Sequence, residues 1–100
     1  MILYVVELEM DAALRNEYLA WLKEHVRAML DLRGFTGADI LVRTDPPPPE
    51  GRFIVSAQYR LQDRAAWEDY LAHHAAQMRA ASVARFGDRV SASRQILESP

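Results

Sequence analysis

One hundred residues leave no room for a second core of useful size, and a mixture that is 50% hydrophobic and 26% charged fits neither a disordered nor a collagenous chain, so a single soluble domain over residues 1–100 is predicted. A formal net charge of −2 lacks the dense Lys/Arg surface that phosphate neutralisation needs, which argues against a nucleic-acid partner. Cysteine is absent, excluding disulfides, thiolate nucleophiles and Cys-based zinc sites.

Met1 to Val6 is apolar but has no basic n-region and soon meets Glu7 and Glu9, so no signal peptide is expected there. No apolar run approaches the length of a membrane span, and a cytoplasmic location follows by default. Ile2, Tyr4, Val6 and Leu8 alternate with Leu3, Val5, Glu7 and Glu9, which predicts a strand over residues 2–9. Asp11 can cap a following helix, whose apolar stripe Leu14, Tyr18, Trp21, Leu22, His25, Val26, Met29 and Leu30 runs down to about Arg33 before Gly34 ends it. A second strand is expected over Phe35 to Thr44, with Thr36, Ala38, Ile40 and Val42 on one side and Phe35, Gly37, Asp39, Leu41 and Arg43 on the other.

The stretch 45–51 carries four consecutive prolines, Pro46 to Pro49, which cannot donate ladder hydrogen bonds. It reads as a stiff connection rather than as a ligand for SH3-type domains. Arg52 to Leu61 alternates as a third strand, with Phe53, Val55, Ala57, Tyr59 and Leu61 on one side. Asp63 is an N-cap candidate for a second helix with Ala66, Trp67, Tyr70, Leu71, His74, Ala75 and Met78 on its stripe. Ser82 and Val83 weaken its signal before Phe86-Gly87, and Asp88 to Leu97 is the fourth strand.

The order β-α-β, Pro loop, β-α-β points to an α+β ferredoxin-like βαββαβ sandwich: a four-stranded antiparallel sheet with both helices on one face. The other face would carry Leu3, Val5, Leu41, Ile54 and Leu97 among Glu7, Ser56, Gln58, Arg60, Ser91, Ser93 and Gln95. A monomer with a half-polar open sheet is the plain alternative. So many aliphatics on one sheet favour a homodimer whose sheets pack face to face.

A twelve-residue pattern occurs twice, 49 positions apart: Tyr18-x-x-Trp21-Leu22-x-x-His25-x-x-x-Met29 and Trp67-x-x-Tyr70-Leu71-x-x-His74-x-x-x-Met78. At about 100° per residue each set occupies one helix face, giving two aromatic rings and one imidazole per helix on a side that should be buried. A histidine there is most often a hydrogen-bonded core residue. The functional alternative places His25 and His74 at the rim of a pocket between helices and sheet, where burial and a carboxylate, with Glu7 the nearest candidate, would tune them for proton transfer. His73, four residues after Asp69, reads as that aspartate's exposed partner.

Tyr18, Trp21, Trp67 and Tyr70 are more often core than ligand contacts. Four polar-edged rings in so small a chain nevertheless raise the case for a ligand pocket. Arg94 shares a strand side with Val90, Ala92 and Ile96, so it either snorkels to water or holds a carboxylate of the protein or of an acidic ligand. Gln58 aims a donor and an acceptor at the supposed dimer interior. Arg79, Arg85, Arg89 and Arg94 are spaced as a solvated face more than as an anion-binding patch. Metal ligation by His25, His73 and His74 lacks two close histidines on one face, and no metal site is expected.

Trp21-Leu22-Lys23-Glu24-His25, Val55-Ser56-Ala57-Gln58-Tyr59-Arg60, Tyr70-Leu71-x-x-His74-Ala75 and Arg85-Phe86-Gly87-Asp88-Arg89 together resemble a family of small bacterial proteins of unknown function. That family is grouped with the dimeric α+β barrel superfamily. The resemblance implies a ferredoxin-like dimer and no particular activity. The superfamily holds cofactor-independent monooxygenases of antibiotic biosynthesis, small decarboxylases and isomerases, haem-degrading enzymes and ligand-sensing domains, so fold does not choose among them. The Pro46 to Pro49 loop departs from the family pattern; if it shapes the pocket mouth, the ligand differs.

Three readings follow. First is a module binding a small planar or acidic molecule through Tyr18, Trp21, Gln58, Trp67, Tyr70 and Arg94, with no cofactor. Second is a cofactor-independent enzyme of monooxygenase, isomerase or decarboxylase type with His25 or His74 as general base. Third is a purely structural or interaction module.

Overall fold

The computed structural model describes residues 1–100. Four strands, β1 (Ile2–Asp11), β2 (Phe35–Val42), β3 (Arg52–Leu61) and β4 (Val90–Glu98), form one antiparallel sheet in the order β2-β3-β1-β4. Helix α1 (Arg15–Leu30) joins β1 to β2, and α2 (Arg64–His73) and α3 (Ala75–Phe86) join β3 to β4. Each crossover skips one strand, which is the ferredoxin-like arrangement.

Alternation along the central strands decides the layers. Tyr4 lies opposite both Tyr59 and Ile96, so the even positions of β1 share a face with the odd positions of β3. On that face Met10, Val55 and Leu61 are fully buried, and the core joins Tyr18, Leu22, Val26 and Met29 of α1 with Trp67, Tyr70, Ala75 and Phe86 of α2 and α3. Each such large apolar side chain contributes about 1.5–3 kcal/mol. Asp63 caps α2, its carboxylate accepting from the Ala66 N–H at 2.9 Å.

Several local expectations change. Asp11 caps a 3-10 turn (Ala12–Leu14), its side chain accepting from Ala13 N–H at 3.3 Å; α1 starts only at Arg15 and ends at Leu30, short of Arg33. β2 ends at Val42, and an irregularity between Phe35 and Gly37 resets its alternation. Phe35 therefore joins Ala38, Ile40 and Val42 on the helix side, where it is buried, while Thr36 is exposed.

The second helix is two helices. His74, at φ −130° and ψ −31°, breaks it without any proline or glycine nearby. The buried stripe jumps five positions, from Tyr70 to Ala75, and α3 is anchored at its ends by Ala75 and Phe86 while Val83 stays exposed. Leu71, expected on the stripe, is 45% exposed, whereas its counterpart Leu22 is 2% exposed. A 3-10 turn (Gly87–Arg89) follows, and β4 begins at Val90, two residues after the expected start at Asp88.

The face away from the helices is mixed. Val5 and Ile54 are buried on it, while Leu41 and Leu97 are 51% and 46% exposed. Around them lie the pairs Arg60–Asp39 at 2.6 Å, Arg52–Glu9 at 3.2 Å and Arg43–Glu7 at 3.7 Å. No helix is long and apolar enough to cross a membrane.

Candidate functional site: a cationic aromatic cavity

Between α1, α3 and the sheet lies a cavity of about 320 Å³. Helix α3 is buried at its two ends, by Ala75 and Phe86, and below its middle the small side chains of Ala57 on β3 and Ala92 on β4 leave the space unfilled. Tyr18, Trp21, Leu22, His25 and Met29 of α1 form one wall, and Met78, Arg79, Ser82 and Val83 of α3 the other. Val83 and Gly87 at the end of α3 and Ala92 and Arg94 of β4 are its exposed lining residues, so the mouth lies between that helix end and β4.

The rings are arranged by the helix period. His25 stacks on Trp21 four residues earlier, with ring centroids 4.6 Å apart and planes 17° from parallel. Tyr18 packs on Trp21 at 5.6 Å and on Phe86 at 4.9 Å, so the end of α3 is pinned to α1. Tyr4 sits against Tyr59 and Tyr70, each at 5.7 Å.

Charge in the lining is of one sign. Arg79 and Arg94 are its only permanent charges, no Asp or Glu lines the cavity, and neither arginine forms an ion pair. Arg79 Nη2 donates to the Tyr4 hydroxyl at 3.5 Å, a long contact, and its Nε is buried without a partner. Burial raises the phenols of Tyr59 and Tyr70 above the ordinary range, the neighbouring tyrosines adding to the effect and, for Tyr70, the charges of Arg79 and Arg94 opposing it. Tyr18 is pushed up to about 12 by burial, against a Ser82 hydrogen bond and the Arg94 charge. These phenols therefore stay protonated at neutral pH and are donors as well as acceptors.

Of the residues singled out in the sequence, Tyr18, Trp21, His25, Tyr70 and Arg94 come together in this cavity. His74, Trp67 and Gln58 do not. His74 occupies the break between α2 and α3, with Nε2 4.0 Å from Asp69 Oδ2, because the helix turns there instead of continuing. Trp67 is consumed by packing, 4.7 Å from the Tyr4 ring. Gln58 lies on the far face of the sheet and donates to Ser56 Oγ at 3.4 Å.

Glu7 is also on that far face, paired with Arg43, so no carboxylate reaches His25; burial alone lowers its pKa. His73 Nδ1 is 3.1 Å from Asp69 Oδ1, an exposed pair. The proline loop 45–51 contributes nothing to the cavity. Tyr4, Tyr59 and Ser82 also line the cavity, as does Arg79, whose spacing along the chain assigns it to a solvated face. The even-position alternation of β1 could have flagged Tyr4, but no local signal marks Arg79 as unpaired.

Residues 1–99 match the sequence profile of a domain of unknown function, DUF4286. The chain belongs to that family. No curated protein matches it by sequence. Among solved structures, this DUF4286 chain is similar to a Deinococcus radiodurans protein assigned to the antibiotic biosynthesis monooxygenases, at 16% identity and a TM-score of 0.71, over 100% of this chain and 93% of that one. It is similar to the haem-degrader MhuD of Mycobacterium tuberculosis, which has two haems bound in its active site, at 17% identity and a TM-score of 0.69, over 99% and 95% of the two chains. It also matches SnoaB, a cofactor-independent oxygenase of Streptomyces nogalater, at 13% identity and a TM-score of 0.65, over 98% and 92%. At such identities DUF4286 shares with these proteins the fold, and the fold alone.

Proposed function

We propose that this DUF4286 protein binds a small planar or acidic molecule in the cavity between its helices and sheet, as a homodimer in a bacterial cytoplasm. One observation carries the reading: an aromatic-walled cavity of about 320 Å³ opens beside β4, with the flat Trp21–His25 pair in its wall. A core built only for stability would fill such a space. Oxygenases and a haem-degrader of the same fold support small-molecule use of this framework. The half-exposed Leu41 and Leu97 on the helix-free face support pairing of two sheets.

Native mass spectrometry of the purified protein, followed by titration of planar compounds against tryptophan fluorescence, tests the reading. Trp21 lines the cavity and Trp67 does not, so bound ligand should quench wild type and leave Trp21→Phe nearly unresponsive. Absence of any retained molecule and of any saturable binding would sink the proposal.

The same assay addresses an enzymatic reading of cofactor-independent type, which His25 favours: burial lowers its pKa, so it lines the cavity as a neutral imidazole able to take up a proton. Ligand consumed by wild type, but bound without turnover by His25→Ala, would make the protein an enzyme with His25 as its base.

A further inference from the structure

Resting on the ligand-binding reading, we infer that Arg79 and Arg94 form an anion subsite holding the carboxylate of an aromatic acid with one or two rings. The two guanidiniums come from different elements, α3 and β4, and share only the cavity. Elsewhere in the chain Arg27, Arg43, Arg52, Arg60, Arg64 and Arg85 each pair with a carboxylate. Arg79 and Arg94 do not, and neither do Arg15, Arg33 and Arg89, but only Arg79 and Arg94 line this cavity.

The Arg79 guanidinium is held by no carboxylate of the chain, and a small turn of the side chain would be needed to face its Nε into the cavity. Its Nε is the one buried side-chain polar atom without a hydrogen-bond partner, and its Nη2 has only the long 3.5 Å contact to Tyr4. Nε and Nη2 of one guanidinium are the pair of donors that a carboxylate accepts in parallel. A buried charged donor left unpaired is disfavoured, so a turn of the guanidinium that brings Nε and Nη2 onto a ligand carboxylate would relieve that cost.

Nothing inside the cavity can supply the missing anion. No Asp or Glu lines it, burial keeps the phenols of Tyr18, Tyr59 and Tyr70 protonated, and burial likewise favours the neutral form of His25. Tyr70 lines the same cavity as both arginines, and its phenol is a further donor available to an anion. The stacked Trp21–His25 pair offers a flat surface for the ring. Size sets the class: 320 Å³ lies at the bottom of the roughly 300–1,000 Å³ range of ligand pockets, which suits one or two rings.

Calorimetric titration of the full chain at pH 7 with benzoate and 2-naphthoate, against benzamide and 2-naphthamide, separates charge from shape. The expected result is acid binding at least about tenfold tighter than the matching amide, the margin a charge-assisted bidentate pair gives. Arg79→Gln should abolish that preference while amide affinity stays within about threefold, and Arg79→Lys should restore only part of it. Arg94→Gln lies on an exposed strand, so it should fold even if the Arg79 variants do not, and it should also reduce the preference. Equal affinity for acid and amide, or a preference untouched by both variants, overturns the subsite but leaves a planar-ligand pocket standing. Binding of neither class to wild type overturns the subsite and the underlying reading together.

Discussion

The imidazole of His25 lies flat on the indole of Trp21, 4.6 Å between ring centres and 17° from parallel, one helical turn apart on α1. The stack shields one face of the imidazole from water, and no carboxylate compensates, because Glu7 is on the other side of the sheet with Arg43. The imidazole is therefore held below its ordinary pKa and joins the wall of the cavity as a neutral ring.

That depression has a consequence for stability. As pH falls, the unfolded chain takes up the His25 proton first, near the ordinary value of about 6.5, while the folded chain takes it up only lower. The unfolded state then binds more protons, so folding stability falls with pH below about 6.5 until the folded pKa is passed. Urea denaturation midpoints between about pH 7 and 5 should fall for wild type and fall less for His25→Gln. Identical slopes for the two proteins would refute the assignment.

The phenols act at the other end of the scale. Tyr18, Tyr59 and Tyr70 have folded pKa values raised above the ordinary value of about 10. Above pH 10 the unfolded chain loses these protons first, so stability falls as pH rises toward the folded values. Ultraviolet titration at about pH 11 should show most of the tyrosinate signal missing in the native protein and present in denaturant. A native titration centred near pH 10 for all four tyrosines would contradict the buried cluster.

Gly34 has φ +87°, and a Cβ built on it would collide with Ala66 Cβ at the start of α2. Gly51 has φ +77° with open space around it. Gly34→Ala should thus combine left-handed strain with overpacking, costing about 2–4 kcal/mol, while Gly51→Ala should cost about 1–2 kcal/mol from strain alone. Thermal melts compare them directly, since each kcal/mol moves Tm by about 4–8 °C in a domain this size. Equal losses would show that the Gly34–Ala66 approach is not tight.

Leu41 and Leu97 are half exposed, so a charge at either should change monomer stability by less than about 0.5 kcal/mol. In a face-to-face dimer the same charge would be buried without a partner. Light scattering at micromolar concentration should give about twice 11.4 kDa for wild type and about 11.4 kDa for Leu41→Asp/Leu97→Asp. A wild-type monomer would remove the dimer.

Much of the frame was legible because its signals are local. Strand β3 begins and ends at Arg52 and Leu61 as its alternation reads, Asp63 caps α2, and the duplicated β-α-β order implies the sheet topology observed. The side taken by Phe35 was not legible, since its pairing with Leu61 across an irregularity reverses it. Nor was the inequality of the two repeats. His25 and His74 occupy the same position in the pattern, yet one lines the cavity and the other turns the chain between α2 and α3.

From periodicity and capping alone, then, come the strands, the first helix and their order, because each depends on neighbours within a few residues, while the break at His74 and the side taken by Phe35 do not. The cavity and its charge are decided only in three dimensions. Arg79 reads on its helix like Arg85, but Arg85 meets Glu17 of α1 at 3.4 Å while Arg79 meets none. Which cation finds a carboxylate depends on how α3 lies across the sheet, and no spacing along the chain records that.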